Sequence, residues 1–228
     1  MQKELIVTGD GSHSLFIPGM EVSYHSWHGA IQESQHIFIE AGLRPLLEKH
    51  TELSIFEMGF GTGLNALLTY RAIEDHPVKI YYEAIETNPL DLSIASCLNY
   101  ANVLHRPDLQ PTLTQLHECN WDSPHPLSER FYFYKRRVSM NDILLTATFH
   151  LIYFDAFDPV AQPELWTTDV FSKLYKAMVP GGVLLTYCSK GIVRRAMQEA
   201  GLAVEKIPGP PGKREIVRAT KADHYLSL

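Results

Sequence analysis

The sequence predicts an α/β protein built on a mostly parallel sheet with helices on both faces, preceded by an N-terminal β-hairpin. Three observations predict it. Short apolar runs recur at 53–58, 79–85, 131–134, 149–154, 183–187 and around Ile216 and Val217. Helical spacing fills the stretches between them at 64–73, 89–104, 169–178 and 191–200, the last ended by Gly201. Gly59, Gly61 and Gly63 follow the first apolar run at the mouth of the first helix, as in the βαβ units of a parallel sheet.

The N-terminal elements come first. ELIV and SLFI alternate apolar residues around Gly9, Asp10, Gly11 and Ser12, which predicts a hairpin. In YHSWHGAIQESQHIFIEAGLRPLLEKH the spacing of Ile37, Ile39, Leu43, Leu46 and Leu47 predicts a helix. Residues 1–50 therefore read as an extension and 51–228 as the core of a single domain spanning 1–228, a usual size for one domain. Pro107, Pro111, Pro124 and Pro126 break the alternation and mark 105–130 as an insertion packed outside the sheet.

Composition narrows the function classes. A net charge of −6 excludes a uniformly basic surface, so a polyanionic partner must meet a local patch. Such patches occur at Lys135, Arg136 and Arg137, at Lys190, Arg194 and Arg195, and at Lys206, Lys213, Arg214 and Arg218; each also reads as solvated charge. Cys97, Cys119 and Cys188 form no C-x-x-C pair, which suggests neither disulfide nor zinc and fits a reducing, cytoplasmic compartment. His25, His28 and His36 lack convincing ligand spacing, so no metal is expected. Nothing resembles a secretory leader or a membrane span.

The chemistry-bearing residues cluster at strand ends. The glycines let the backbone turn tightly and approach a ligand, while the helix that follows offers free N–H donors; Phe60, Thr62 and Asn65 belong to the same expected site. Glu86 ends the second strand 25 residues beyond Gly61, where an acid accepts from both ribose hydroxyls. Gly63 arrives one residue early for the dinucleotide pattern G-x-G-x-x-G. The spacing resembles instead the glycine motif of Rossmann-like methyltransferases that bind S-adenosylmethionine. In that class Asp142 matches the acid that bonds the adenine amino group, or else caps a helix. Glu57 reaches the methionine ammonium or caps the sheet edge. Asp155 sits at the carboxyl end of a central strand, where open α/β sheets place ligands. Asp158 follows in a turn, and Trp166 either stacks on a base or fills the core.

GFGTGLN, FDAF-x-P with PELW, YCSKGIVRRAMQEAGL, GPPGKRE and the upstream YHSWHGAIQESQHIFIEAGL together resemble one family over Tyr24 to Ala219. It is the methyltransferase domain of the bacterial bifunctional proteins that complete 5-methylaminomethyl-2-thiouridine in tRNA. The resemblance implies N-methylation of the 5-aminomethyl group of wobble (2-thio)uridine, with S-adenosyl-L-methionine as cofactor and the tRNA anticodon stem-loop as partner. It also implies a stand-alone form lacking the family's FAD-dependent module. YEAIETNP and FDAFDP depart from the family pattern at the ribose strand and at Asp158.

The chemistry asks for alignment of two atoms and for an amine freed of its proton, since an alkylammonium has a pKa near ~10. Asp155 is expected chiefly to orient the amine and secondly to accept its proton. Tyr24, Ser26 and Glu33 are expected in the pocket wall, and Lys190, Arg194, Arg195, Lys213 and Arg214 at phosphates. The rival readings are a small-molecule or protein N-methyltransferase, a relative of the polyamine synthases, and a non-catalytic RNA-binding module.

Overall fold

The computed structural model describes residues 2–146 and 148–222. β1 (Glu4–Val7) and β2 (His13–Ile17) pair antiparallel as the alternation predicts, and β3 (Val22–Ser23) extends them to a three-stranded sheet. Asp10 closes the hairpin turn: its Oδ1 accepts from Ser12 N at 3.0 Å and from Thr8 Oγ1 at 2.9 Å. Its other oxygen accepts from Gln32 N at 2.9 Å, so the turn also caps the next helix.

That helix runs through α1 (Ala30–Ser34), a π-helical stretch (Gln35–Leu43) and α2 (Arg44–Leu47). Ile37, Phe38, Ile39 and Leu43 are buried, and the Phe38 ring lies 4.9 Å from that of Tyr153 in the central sheet. The helical half of the expected extension is thus a wall of the main core.

The remaining strands and α-helices are β4 (Glu52–Met58), α3 (Leu64–Ala72), β5 (Lys79–Ile85), α4 (Leu92–Ala95), α5 (Tyr100–Val103), α6 (Gln110–Glu118), β6 (His125–Ser128), β7 (Phe131–Arg136), β8 (Phe149–Phe154), α7 (Thr168–Ala177), β9 (Met178–Thr186), α8 (Gly191–Glu199), β10 (Ala203–Pro208) and β11 (Glu215–Thr220). Eight strands form one sheet in the order β10-β11-β9-β8-β4-β5-β7-β6. β7, β5, β4, β8 and β9 are parallel, while β11 runs against β9 and β10, and β6 against β7. The chain steps outward from β4 to β7 and then returns to β8 beside β4. The carboxyl ends of β4 and β8 therefore flank the switch point where such sheets bind ligands.

Two expected elements differ. The helix expected over 89–104 is broken into α4 and α5, because Asn99 leaves the helix to bond the hairpin, accepting from His13 N at 2.7 Å and donating to Gly11 O at 2.9 Å. The segment 105–130 is no excursion outside the sheet. Its α6 buries Leu113 and Leu116 in the core, and its β6 adds an edge strand. Pro111 lies in the first turn of α6, where a missing N–H costs nothing, and Pro126 lies on an edge strand.

Candidate active site

A cavity of about 310 Å³ opens at the switch point. The glycine loop forms its floor. Gly59, Gly61 and Gly63 all have positive φ, of 91°, 50° and 73°. A Cβ on Gly59 would stand 3.1 Å from the Asp155 carbonyl, and one on Gly61 3.2 Å from the Tyr24 ring, so side chains are excluded by conformation and by contact. Phe60, Thr62 and Asn65 line the same cavity, as do Tyr24 and Asp155.

Glu86 lines the cavity beside the loop. Its Oε2 accepts from Gly61 N at 3.0 Å, and its Oε1 from Thr87 N and Asn88 N, both at 2.8 Å. These bonds fix the carboxylate against the loop while leaving lone pairs for further donors.

Glu57 lies behind the wall rather than on it. It is fully buried, and neither carboxylate oxygen has a hydrogen-bond partner. Burial drives its pKa well above the carboxylate range; Asn65 and Tyr82 are near enough to oppose this without closing a bond in good geometry. Asn65 bonds one of the two acids. Its Nδ2 donates to Asp155 Oδ2 at 2.8 Å, while its buried Oδ1 is unpartnered.

Asp155 follows β8, and its backbone N donates to Met58 O at 3.2 Å, which ties the two strand ends together. Part of its side chain faces the cavity and protein encloses the rest. That enclosure raises its pKa to about 7; neighbouring Glu33 adds to the rise, while the Asn65 bond and Lys213 oppose it.

Of the three upstream residues expected in the pocket wall, Tyr24 lines the cavity, while Ser26 and Glu33 do not. Tyr24 meets Phe157 edge to face at 5.1 Å, and Glu33 accepts from Ser26 N at 2.8 Å. His25 is buried between Ser14 Oγ (3.2 Å) and Thr62 Oγ1 (3.5 Å), and burial lowers its pKa to about 4. Among the described residues no group of His, Cys, Asp and Glu side chains is placed to hold a metal ion. The hairpin was not expected at the site, yet Lys3, Ile17 and Met20 line the cavity, and Lys3 Nζ donates to Asn88 O at 3.0 Å. Met140, Asn141, Phe157 and Gln162 were also missed, since nothing in their local pattern marks them.

A second cavity, of about 280 Å³, is lined by Asp158, Tyr187, Cys188, Ser189, Lys190, Lys213, Arg214 and Glu215. Tyr187 Oη donates to Ala156 O at 2.9 Å, next to Asp155. Asp158 pairs with Lys190 at 2.7 Å, which with the Val160 N–H holds its carboxyl below the usual range despite burial. Arg194 donates to Ser189 O at 3.3 Å, while Arg195 and Arg214 are exposed.

Asp142, Trp166 and Lys135 lie outside both cavity linings. Asp142 is absent from the cavity lining; its carboxylate accepts from Ser139 Oγ at 2.6 Å, so it closes a turn beside Asn141. Trp166 is core: it is 4% exposed, packs on Phe154, Phe171 and Tyr187, and donates to Phe157 O at 2.8 Å. Lys135 is buried and spends its ammonium on the carbonyls of Leu116 and His117 at the end of α6, 4.5 Å over Trp121.

A family model described as S-adenosyl-L-methionine-dependent methyltransferase matches residues 134–222, from β7 and Asp155 through β11. Over these residues the chain is similar to the S-adenosyl-L-methionine-dependent methyltransferases. Curated relatives include the tRNA 5-methylaminomethyl-2-thiouridine biosynthesis bifunctional protein MnmC of Burkholderia mallei, 31% identical over 212 residues, or 85% of this chain and 32% of that protein. The protein of the same name from Ralstonia nicotianae is 31% identical over 215 residues, 89% of this chain and 32% of its own. The chain thus spans about a third of the length of the curated relatives it matches.

Among solved structures, MnmC2 from Aquifex aeolicus superposes with a TM-score of 0.79 at 22% identity, covering 97% of this chain and 71% of that one. Spermidine synthase from Thermotoga maritima gives 0.52 at 12% identity, covering 99% and 74%. Both establish the fold. The cofactor that this similarity implies fits the residues present: Gly59 and Gly61 line the cavity in left-handed conformations that a side chain would crowd, and beside them the Asn65 Oδ1 lacks a partner. The cavity volume falls within the range of about 300–1,000 Å³ usual for small-molecule sites.

Proposed function

We propose that this chain methylates the exocyclic primary amine of 5-aminomethyluridine, with or without a 2-thio group, at the wobble position of tRNA. The observation that carries the reading is the placement of Asp155, which faces the cofactor cavity and is joined through Ala156 and Tyr187 to the second, basic-lined cavity. The names of the curated relatives supply the substrate class.

In this reading Glu86 accepts from the ribose hydroxyls and the loop of Gly59 to Gly63 lies against the cofactor, with Asn65 beside it and Glu57 behind the wall. Bound S-adenosyl-L-methionine supplies a methyl group already activated by its sulfonium. The protein must then align the amine, exclude water and remove one proton. Desolvation lowers the pKa of an amine and raises that of a carboxyl, bringing the two together from either side. Asp155, with a pKa of about 7, is ionised often enough to accept that proton at neutral pH and is basic enough to hold it. Orientation comes from the same carboxylate, fixed by Asn65. Lys190 and Arg214 line the second cavity, with Arg194 and Arg195 following Lys190 on α8, and the phosphates of an anticodon stem-loop would lie there.

The test is mass spectrometry of wobble nucleosides after incubating purified protein and cofactor with tRNA carrying the unmethylated aminomethyl group. A mass gain of one methyl on that nucleoside is expected. Methylation of free amines or polypeptides with none on tRNA would overturn the reading.

A further inference from the structure

Lys213 was expected at a phosphate, yet its ammonium is already engaged. It forms an ion pair with Glu33 and stands 4.2 Å over the centre of the Tyr187 ring. Neither partner depends on Lys213 for its position. Glu33, buried on α1, is held by the Ser26 N–H at 2.8 Å, and Tyr187, just past β9, is anchored through its hydroxyl to Ala156 O at 2.9 Å. Lys213 comes instead from the turn between β10 and β11, where Gly212 adopts φ +87°.

A fixed carboxylate and an aromatic face directed at one point bind a primary alkylammonium: the first by a charge-assisted hydrogen bond, the second by its quadrupole. The target of the proposed reaction is such a group, and the Tyr187 hydroxyl bonds the carbonyl of the residue that follows Asp155.

We infer, resting on the reading above, that Glu33 and Tyr187 form the subsite for the substrate's ammonium, and that the Lys213 ammonium is the stand-in that fills it until substrate displaces it. Exchange of one alkylammonium for another keeps the buried Glu33 carboxylate paired throughout, whereas an empty subsite would leave it bare at large cost. A neutral or anionic 5-substituent cannot displace Lys213, so the exchange selects for amines. The displaced Lys213 then joins Arg214 and Lys190 on the phosphate side of the second cavity.

The experiment titrates the Lys213→Met chain with methylammonium chloride and follows thermal unfolding, with sodium chloride as the ionic control. The unfolding midpoint should rise saturably, by about 3 °C at ten times the dissociation constant for a chain of this length. Sodium chloride should give no such rise, and neither wild type nor the double variant Lys213→Met with Glu33→Gln should respond to methylammonium. Equal response to both salts, or an undiminished response in the double variant, would overturn the inference. If Lys213→Met does not fold, Glu33→Gln in the wild-type background should raise KM for aminomethylated tRNA about tenfold or more, with cofactor affinity unchanged. An unchanged KM would overturn it equally. The titration contains no RNA, so a positive titration without tRNA methylation supports the subsite while the substrate reading falls. Methylation of tRNA with a flat titration removes the subsite alone.

Discussion

Asn65 donates a hydrogen bond of 2.8 Å to Asp155, joining the first turn of α3 to the end of β8 across the switch point of the sheet. Because the bond favours the ionised carboxylate, it holds the Asp155 pKa below where burial alone would put it. Asn65→Ala should raise that pKa above about 7. The acidic limb of the kcat/KM profile for methyl transfer should therefore move to higher pH, and an unmoved limb in a pH series would show that Asp155 is not the titrating base.

Asp155 itself should govern rate and leave cofactor affinity nearly intact. Asp155→Ala is expected to lower methyl transfer by on the order of 10²-fold or more, the usual contribution of a positioned proton acceptor. Asp155→Asn keeps the shape and one acceptor. Partial activity in that variant would assign the residue chiefly to orientation, and a loss equal to alanine's would make proton acceptance obligatory. Wild-type rates in both variants would reduce Asp155 to a structural carboxylate.

The same substitution carries a stability signature. A carboxyl with a folded pKa of about 7 and an ordinary value of 3.8 binds more protons folded than unfolded between those limits, so it destabilises the fold increasingly as pH rises through them. Asp155→Asn should therefore match wild type near pH 3, gain over it from about pH 4 to 7, and keep a constant advantage above. Unfolding midpoints across that range would check it.

Gly61→Val is expected to abolish cofactor binding in a chain that still folds. A branched side chain at φ 50° is strained, and its Cβ would stand 3.2 Å from the Tyr24 ring on the cavity floor. Calorimetric titration with S-adenosyl-L-methionine should show no heat of binding; wild-type affinity would remove the loop from the site.

His25 and His117 both hold Thr62, the first near its hydroxyl at 3.5 Å and the second at its carbonyl at 3.0 Å, and burial lowers each pKa to about 4. Unfolding frees both to take up protons near an ordinary pKa of 6.5, so the stability they confer is present above 6.5 and lost as pH falls toward 4. Wild type should lose thermal stability steeply over that window. His25→Gln combined with His117→Gln should flatten the slope, and an unaltered slope in circular-dichroism melts would place the acid sensitivity elsewhere.

The sequence by itself determined what repeats along the chain. Strand and helix periodicity located β4, β5, β8, α3 and α8, and the sequence named Gly59, Gly61, Glu86 and Asp155, which line one cavity. Each of these is a local pattern, set by how a backbone pleats, coils or turns over a few residues. Tertiary structure decided what depends on a distant partner. Prolines read as breakers start α6 and border the sheet, because their neighbours supply core and edge contacts. Trp166 fills the core and Asp142 turns to Ser139, two positions whose roles were open until their surroundings were fixed. Lys213 pairs with Glu33 from 180 residues away, and Lys3 reaches Asn88 from 85. Burial and pairing are properties of a surrounding volume, and that volume is filled by residues that no local spacing rule brings together.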